Sequence, residues 1–102
     1  MTRAPVFLPV QLDFPPEAAR RESWGRLTVL TGGGAELSTA TRLVKGERVL
    51  LAFELGRERF EGVRARVESA EDDADGRRLA ELRFEDPLQR RALAKALTDL
   101  LS

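Results

Sequence analysis

The sequence predicts a mainly β fold: six short antiparallel strands forming a closed or nearly closed barrel, followed by one C-terminal α-helix. Three features of the 102-residue chain carry this expectation. Apolar residues alternate with polar ones over several short runs, the period-two signature of strands buried on one side. Glycine-containing turns separate those runs at short spacing, which favours antiparallel hairpins over crossover helices. After Phe84 the apolar period lengthens to that of a helix.

Over residues 6–12, Val6, Leu8, Val10 and Leu12 share one face, and Phe7, Pro9 and Gln11 the other. Pro9 has no N–H for a ladder, so this strand is expected at an edge or bulged there. Residues 13–21, with Pro15-Pro16 and a charged cluster, read as a loop with room for a helical turn over 17–21. A second strand runs from Trp24 to about Leu30 or Thr31. Gly32-Gly33-Gly34 then makes a corner before a third strand, residues 35–39, with Ala35 and Leu37 on one face. Three consecutive glycines give up much backbone freedom on folding. They therefore suggest φ > 0, the close approach of another group, or a loop tip.

Lys45-Gly46-Glu47 reads as a tight turn. Residues 48–55 form the clearest strand, with Val49, Leu51, Phe53 and Leu55 facing one way. Gly56-Arg57 turns the chain into a partner strand from Arg59 to about Ser69, where Val63, Ala65 and Val67 alternate with Arg64, Arg66 and Glu68. Phe60 falls on the wrong parity for that face, which predicts a bulge near Gly62. Residues 71–76 are expected to form an acidic loop ending in the Asp75-Gly76 turn pair. Residues 79–84 make the last strand, with Ala80, Leu82 and Phe84 inward.

Asp86 is placed to cap the helix, Pro87 suits its first position, and Gln89 stands where a capping box wants it. Leu88, Ala92, Leu93, Ala96, Leu97 and Leu100 form the apolar stripe. One domain over residues 1–102 is expected, with the barrel over about 5–85 and the helix over about 87–101.

Composition narrows the function classes. The 17 basic and 17 acidic residues cancel, which argues against a dedicated nucleic-acid binder. With no Cys and no His, there is no disulfide frame, no thiolate nucleophile and no zinc site of the usual kinds. The usual hydrolase triad cannot be assembled around Ser23, Ser38, Ser69 or Ser102. No apolar run approaches the ~20 residues needed to span a bilayer, and the opening Met1-Thr2-Arg3-Ala4-Pro5 lacks a signal-peptide core. A cytoplasmic, non-enzymatic protein without metal or cofactor is the expectation.

Glu58, Glu61, Glu68, Glu81 and Glu85 read as solvent-facing acids. Asp72, Asp73 and Asp75 lack the rest of a calcium loop. The triple glycine is followed by a strand rather than by the helix that a phosphate-binding loop requires. Arginine is the remaining resource, because it grips phosphate bidentately and stacks on flat rings. Arg20, Arg21 and Arg26 cluster near the second strand, Arg57, Arg59, Arg64, Arg66, Arg77 and Arg78 punctuate the central hairpin, and Arg90 and Arg91 open the helix.

Arg3 with Val6-Phe7-Leu8-Pro9-Val10, the stretch Leu30-Thr31-Gly32-Gly33-Gly34-Ala35-Glu36-Leu37, and Leu43 with Gly46-Glu47-Arg48-Val49 resemble the PilZ family. Members of that family are receptor domains for bacterial cyclic di-GMP, and the resemblance covers almost the whole chain. It implies a six-stranded antiparallel PilZ-like β-barrel with a C-terminal helix. It also implies a ligand site built from an RxxxR motif before the first strand and a D/N-x-S-x-x-G motif at the second-to-third strand corner. Arg3 matches the second arginine, and the position of the first falls before Met1. Thr31 stands for the serine, Gly34 matches the glycine, and Val29 stands where the family has Asp or Asn. An alternative register on Glu36-Leu37-Ser38 lacks the glycine at Thr41 and is rejected.

Valine has neither donor nor acceptor for a guanine edge. The lost contacts imply an affinity lower by about two orders of magnitude or more than that of an intact site. The resemblance therefore implies a protein-interaction adaptor in bacterial signalling, motility or surface-organelle control (type IV pili among them), with lost or weakened cyclic di-GMP binding. Two alternatives stand beside it. One is a working receptor completed by Arg20, Arg21 or Arg26, and the other is a generic small-barrel module for peptide or nucleic acid.

Overall fold

The computed structural model describes residues 3–73 and 75–101, with side chains from Val6 onward; Met1, Thr2, Ala74 and Ser102 lie outside them. Six strands are followed by one helix: β1 (Arg3–Asp13), β2 (Ser23–Thr31), β3 (Gly34–Thr39), β4 (Arg48–Leu55), β5 (Glu58–Asp72), β6 (Arg78–Phe84) and α1 (Pro87–Leu101). All pairings are antiparallel and the sheet closes in the order β1-β2-β3-β6-β5-β4. Closure removes the free edges that would otherwise template pairing with other chains.

The alternation seen in the sequence sets the barrel's inside. Val10, Leu12, Leu27, Leu37, Val49, Leu51, Phe53, Ala65 and Phe84 are buried in one continuous core. Phe53 and Phe60 stack in it with ring centroids 5.6 Å apart. Phe60 is inside because two residues, Glu61 and Gly62, oppose Ala52 between the Leu51–Val63 and Phe53–Phe60 pairs. The expected bulge is thus present, with Gly62 at φ 61°. Pro9 pairs with Arg26 on β2 and lies beyond the short seam to β4, which involves only Gln11, Leu12 and Asp13. Its missing N–H therefore interrupts no ladder on that side. The β1 irregularity itself sits between Pro5 and Leu8.

The chain crosses from β3 to β4 over one end of the barrel, plugging it with the fully buried Leu43. The helix covers the opposite end, where β2 finishes and β3 begins. Asp86 caps it, its Oδ1 accepting the Leu88 and Gln89 N–H groups at 2.8 and 3.2 Å.

Several local expectations are corrected. The short helical turn covers Pro16–Ala18 rather than residues 17–21, because the two prolines favour the start of a turn. β5 runs on through Glu71 and Asp72, whose ladder with Leu79 and Arg78 draws the first two residues of the acidic loop into the sheet. Gln89 does not close a capping box. Its Nε2 donates to the Gly62 carbonyl at 2.8 Å and its Oε1 accepts the Arg64 N–H at 2.9 Å, tying α1 to the bulge of β5. The helix buries only Leu93 and Leu97 fully, while Leu88, Ala92 and Leu100 are exposed. A helix laid across a barrel end meets it along a narrow line, so the flanks of a wide stripe stay in solvent.

Candidate functional site at the β2–β3 corner

The triple-glycine corner is built by close approach. The left-handed glycines of the described residues are Gly46, Gly56, Gly62 and Gly76, so the φ > 0 expectation for Gly32–Gly34 is corrected. A Cβ on Gly34 would run into the carbonyl oxygen of Leu82 on β6. A Cβ on Gly32 would stand 2.8 Å from the Ala94 methyl of the helix. The corner is glycine because β6 and α1 press against it from two sides.

Thr31 locks this corner. Its Oγ1 accepts the N–H groups of Gly33 and Gly34 at 3.1 and 2.9 Å and donates to the Gly34 carbonyl at 3.2 Å. The hydroxyl is thereby committed to the turn. Gly33 in turn gives its carbonyl to the Phe84 N–H at 2.9 Å, joining the corner to the end of β6.

Beside the corner lies a cleft of about 370 Å³, into which Val29, Thr31, Glu36, Glu81, Arg83 and Arg90 open. A register shift between Leu27 and Val29 places one extra residue, Thr28, on β2. Because of it, Leu27 and Leu30 both point into the core while Val29 and Thr31 point outward. Val29 faces Glu36 on β3, and Glu36 faces Glu81 on β6. Thr28 Oγ1 donates to the Glu36 carboxylate at 2.9 Å. The cleft therefore balances two carboxylates against two guanidinium groups.

The residues singled out in the sequence separate here. Thr31, Gly34 and Val29 meet at the corner. The Arg3 backbone pairs with Thr31 at the same end of the sheet, and its side chain lies outside the described residues. Arg20 does not reach the corner: it sits before β2, and the nine residues of that strand put roughly 25 Å between the two. Its guanidinium pairs with Glu47, donates to the Arg42 carbonyl at 2.7 Å, and lies 4.3 Å from the centre of the Phe14 ring. Arg21 shares that far end and is exposed. Arg26 stands midway along β2, stacked on the exposed Phe7 ring at 4.6 Å.

Glu36, Glu81, Arg83 and Arg90 were not predicted as cleft residues. The outward parity of Glu36, Glu81 and Arg83 was readable, since each alternates with a core residue. Their convergence was not, because β3 and β6 pair although 38 residues lie between them, and Arg90 arrives from the helix.

The sequence matches no protein-family model and no curated protein. Its fold is that of PilZ domains. The PilZ domain of CeSA from a cellulose-synthesising bacterium is similar at TM-score 0.70 and 18% identity, with each chain fully covered. The PilZ domain of YcgR from Escherichia coli, solved with c-di-GMP, is similar at TM-score 0.74 and 18% identity over 98% of this chain and 88% of that one. The Bacillus subtilis inhibitor of motility MotI/DgrA is similar at TM-score 0.74 and 18% identity over 95% of this chain. The chain spans about half of that protein's length. Among the described residues, no helix is long and apolar enough to cross a membrane.

Proposed function

We propose that this is a non-enzymatic, PilZ-like regulatory domain of bacterial signalling whose nucleotide corner keeps its architecture but not its ligand chemistry. Its work is then protein interaction, in a cytoplasmic system controlling motility or a surface organelle. The observation that carries this reading is Val29, apolar and outward-facing in the cleft, with Glu36 opposite it. A guanine edge would meet no hydrogen-bond partner at Val29. The ligand's phosphates would also approach two carboxylates, Glu36 and Glu81, which Arg83 and Arg90 only balance. The commitment of Arg20 to Glu47, Arg42 and Phe14 supports the same conclusion, since that arginine is not available to complete the site.

A second reading, an atypical cyclic di-GMP receptor, is favoured by one observation: Arg83 and Arg90 both line the cleft. Isothermal calorimetry with cyclic di-GMP separates the two. The adaptor reading expects no saturable heat at micromolar ligand. Saturable binding that is lost on Arg83→Ala would establish the receptor instead.

A further inference from the structure

Some arginines of this surface are answered by acceptors. Arg20 pairs with Glu47, Arg59 with Glu54 and Glu61, and Arg78 with Asp72, while Arg77 donates to Ser38. The outer face of β4, β5 and β6 is distinguished by the alignment of its arginines. Arg48 stands directly opposite Arg66, and Arg66 directly opposite Arg83, so three guanidinium groups line up across three adjacent strands. Arg64 stands next along β5, opposite Leu50. Like charges directly opposite on neighbouring strands are destabilising. Of these four arginines, only Arg48 has an ion pair among the described residues, to Glu85 at 3.5 Å.

The row borders a groove of about 520 Å³. Arg48 and Arg64 form its basic side, and Pro15, Pro16, Leu50 and Pro87 contribute its apolar lining. We propose that this face is a docking surface for an acidic, apolar-studded segment of a partner protein. Its apolar side chains sit in the proline-lined groove, and its carboxylates lie along Arg64, Arg66 and Arg83. The charge complementarity is specific in spacing. Opposite residues on adjacent strands stand about 5 Å apart, so the row from Arg48 to Arg83 is roughly 10 Å long, a match for two or three carboxylates.

Nucleic acid fits this face less well. Glu17, Glu85 and Asp86 line the same groove, so it admits the apolar side chains of a segment whose carboxylates stay outside it on the arginine row, whereas a polyanion charged along its whole length would meet all three acids. The exposed aromatic side chains, Phe7 and Trp24, belong to β1 and β2, so no stacking platform borders the row.

This surface rests on the adaptor reading, and its test is independent of the cyclic di-GMP titration. Random peptides displayed on phage are selected against the whole protein, and the enriched peptides are synthesised and titrated by fluorescence anisotropy. The expected peptides carry at least two acidic residues flanking an apolar one. Their affinity falls about tenfold or more in R64E/R66E, is weakened in the charge-neutral R64Q/R66Q, and is unchanged in R21E at the far end of the barrel. A circular-dichroism melt confirms that each variant is folded. The proposal is overturned by an absence of enrichment, by peptides without acidic residues, or by affinities that R64E/R66E leaves intact. It is also overturned if a 12-nucleotide single-stranded DNA binds more tightly than the peptides and is released by R64E/R66E. Cyclic di-GMP binding at the corner, read by calorimetry, stands or falls separately from each of these results.

Discussion

Val29 and Glu36 face each other across β2 and β3, and the Glu36 carboxylate is held there by the Thr28 hydroxyl at 2.9 Å. An apolar side chain and a fixed negative charge thus occupy the outward face of a corner whose backbone is otherwise tightly specified. On the proposed reading, shape and chemistry have separated at this point of the fold.

That separation is reversible if it is local. The double variant Val29→Asn, Glu36→Gln supplies a donor and acceptor and removes one repulsive charge. It should raise cyclic di-GMP affinity by about tenfold to a hundredfold over the unmodified chain, the worth of one or two hydrogen bonds to buried partners. Calorimetry at ligand concentrations up to millimolar reads this directly. No gain in affinity would mean that the loss of binding lies elsewhere than in this pair.

The corner's glycines should differ in their tolerance of a methyl group. Gly34→Ala sets a Cβ against the Leu82 carbonyl at the start of the β3–β6 ladder, where both backbones are held by pairing. A loss of at least about 2–3 kcal/mol is expected. Gly32→Ala meets Ala94 of the helix, its methyl at 2.8 Å and its Cα at 3.3 Å, and about 1 kcal/mol is expected from a helix free to shift slightly. Urea denaturation of the two variants tests the order. In a double-mutant cycle, Ala94→Gly should relieve part of the Gly32→Ala cost, whereas it should do nothing for Gly34→Ala.

Gln89 should matter more than its half-exposed position suggests. It gives one hydrogen bond to Gly62 and takes one from Arg64, and so fixes the helix to the β5 bulge. Gln89→Ala is expected to cost about 1–2 kcal/mol. Amide exchange should show the loss first in α1 and at Arg64, with the β1–β2 ladder little changed. Uniform loss of protection through the barrel would instead mean that helix and barrel unfold as one unit.

The strands and the final helix were legible because each is a local pattern. Val49 to Leu55 alternate inside and outside, and the break in parity at Phe60 located the bulge at Gly62 before any pairing was known. The candidate site was legible only in part. Thr31, Gly34 and Val29 are close in sequence and meet at one corner, whereas Arg20 and Arg21 are near in sequence and remote in space. A strand carries its two ends apart by about 3.3 Å per residue.

By itself, then, the sequence determined which residues face the core, where the chain turns, and that an apolar side chain, Val29, stands at the β2–β3 corner. These follow from period, parity and side-chain chemistry, which are properties of short stretches. Only the tertiary structure decided why Gly32 and Gly34 must be glycine, that Glu36 and Glu81 share a cleft with Arg83 and Arg90, and that Arg48, Arg66 and Arg83 form one row. Each of these depends on the order in which strands pair around the barrel and on where the helix comes to rest. Such long-range registers are set by the packing of the whole core, and no short stretch of sequence records them.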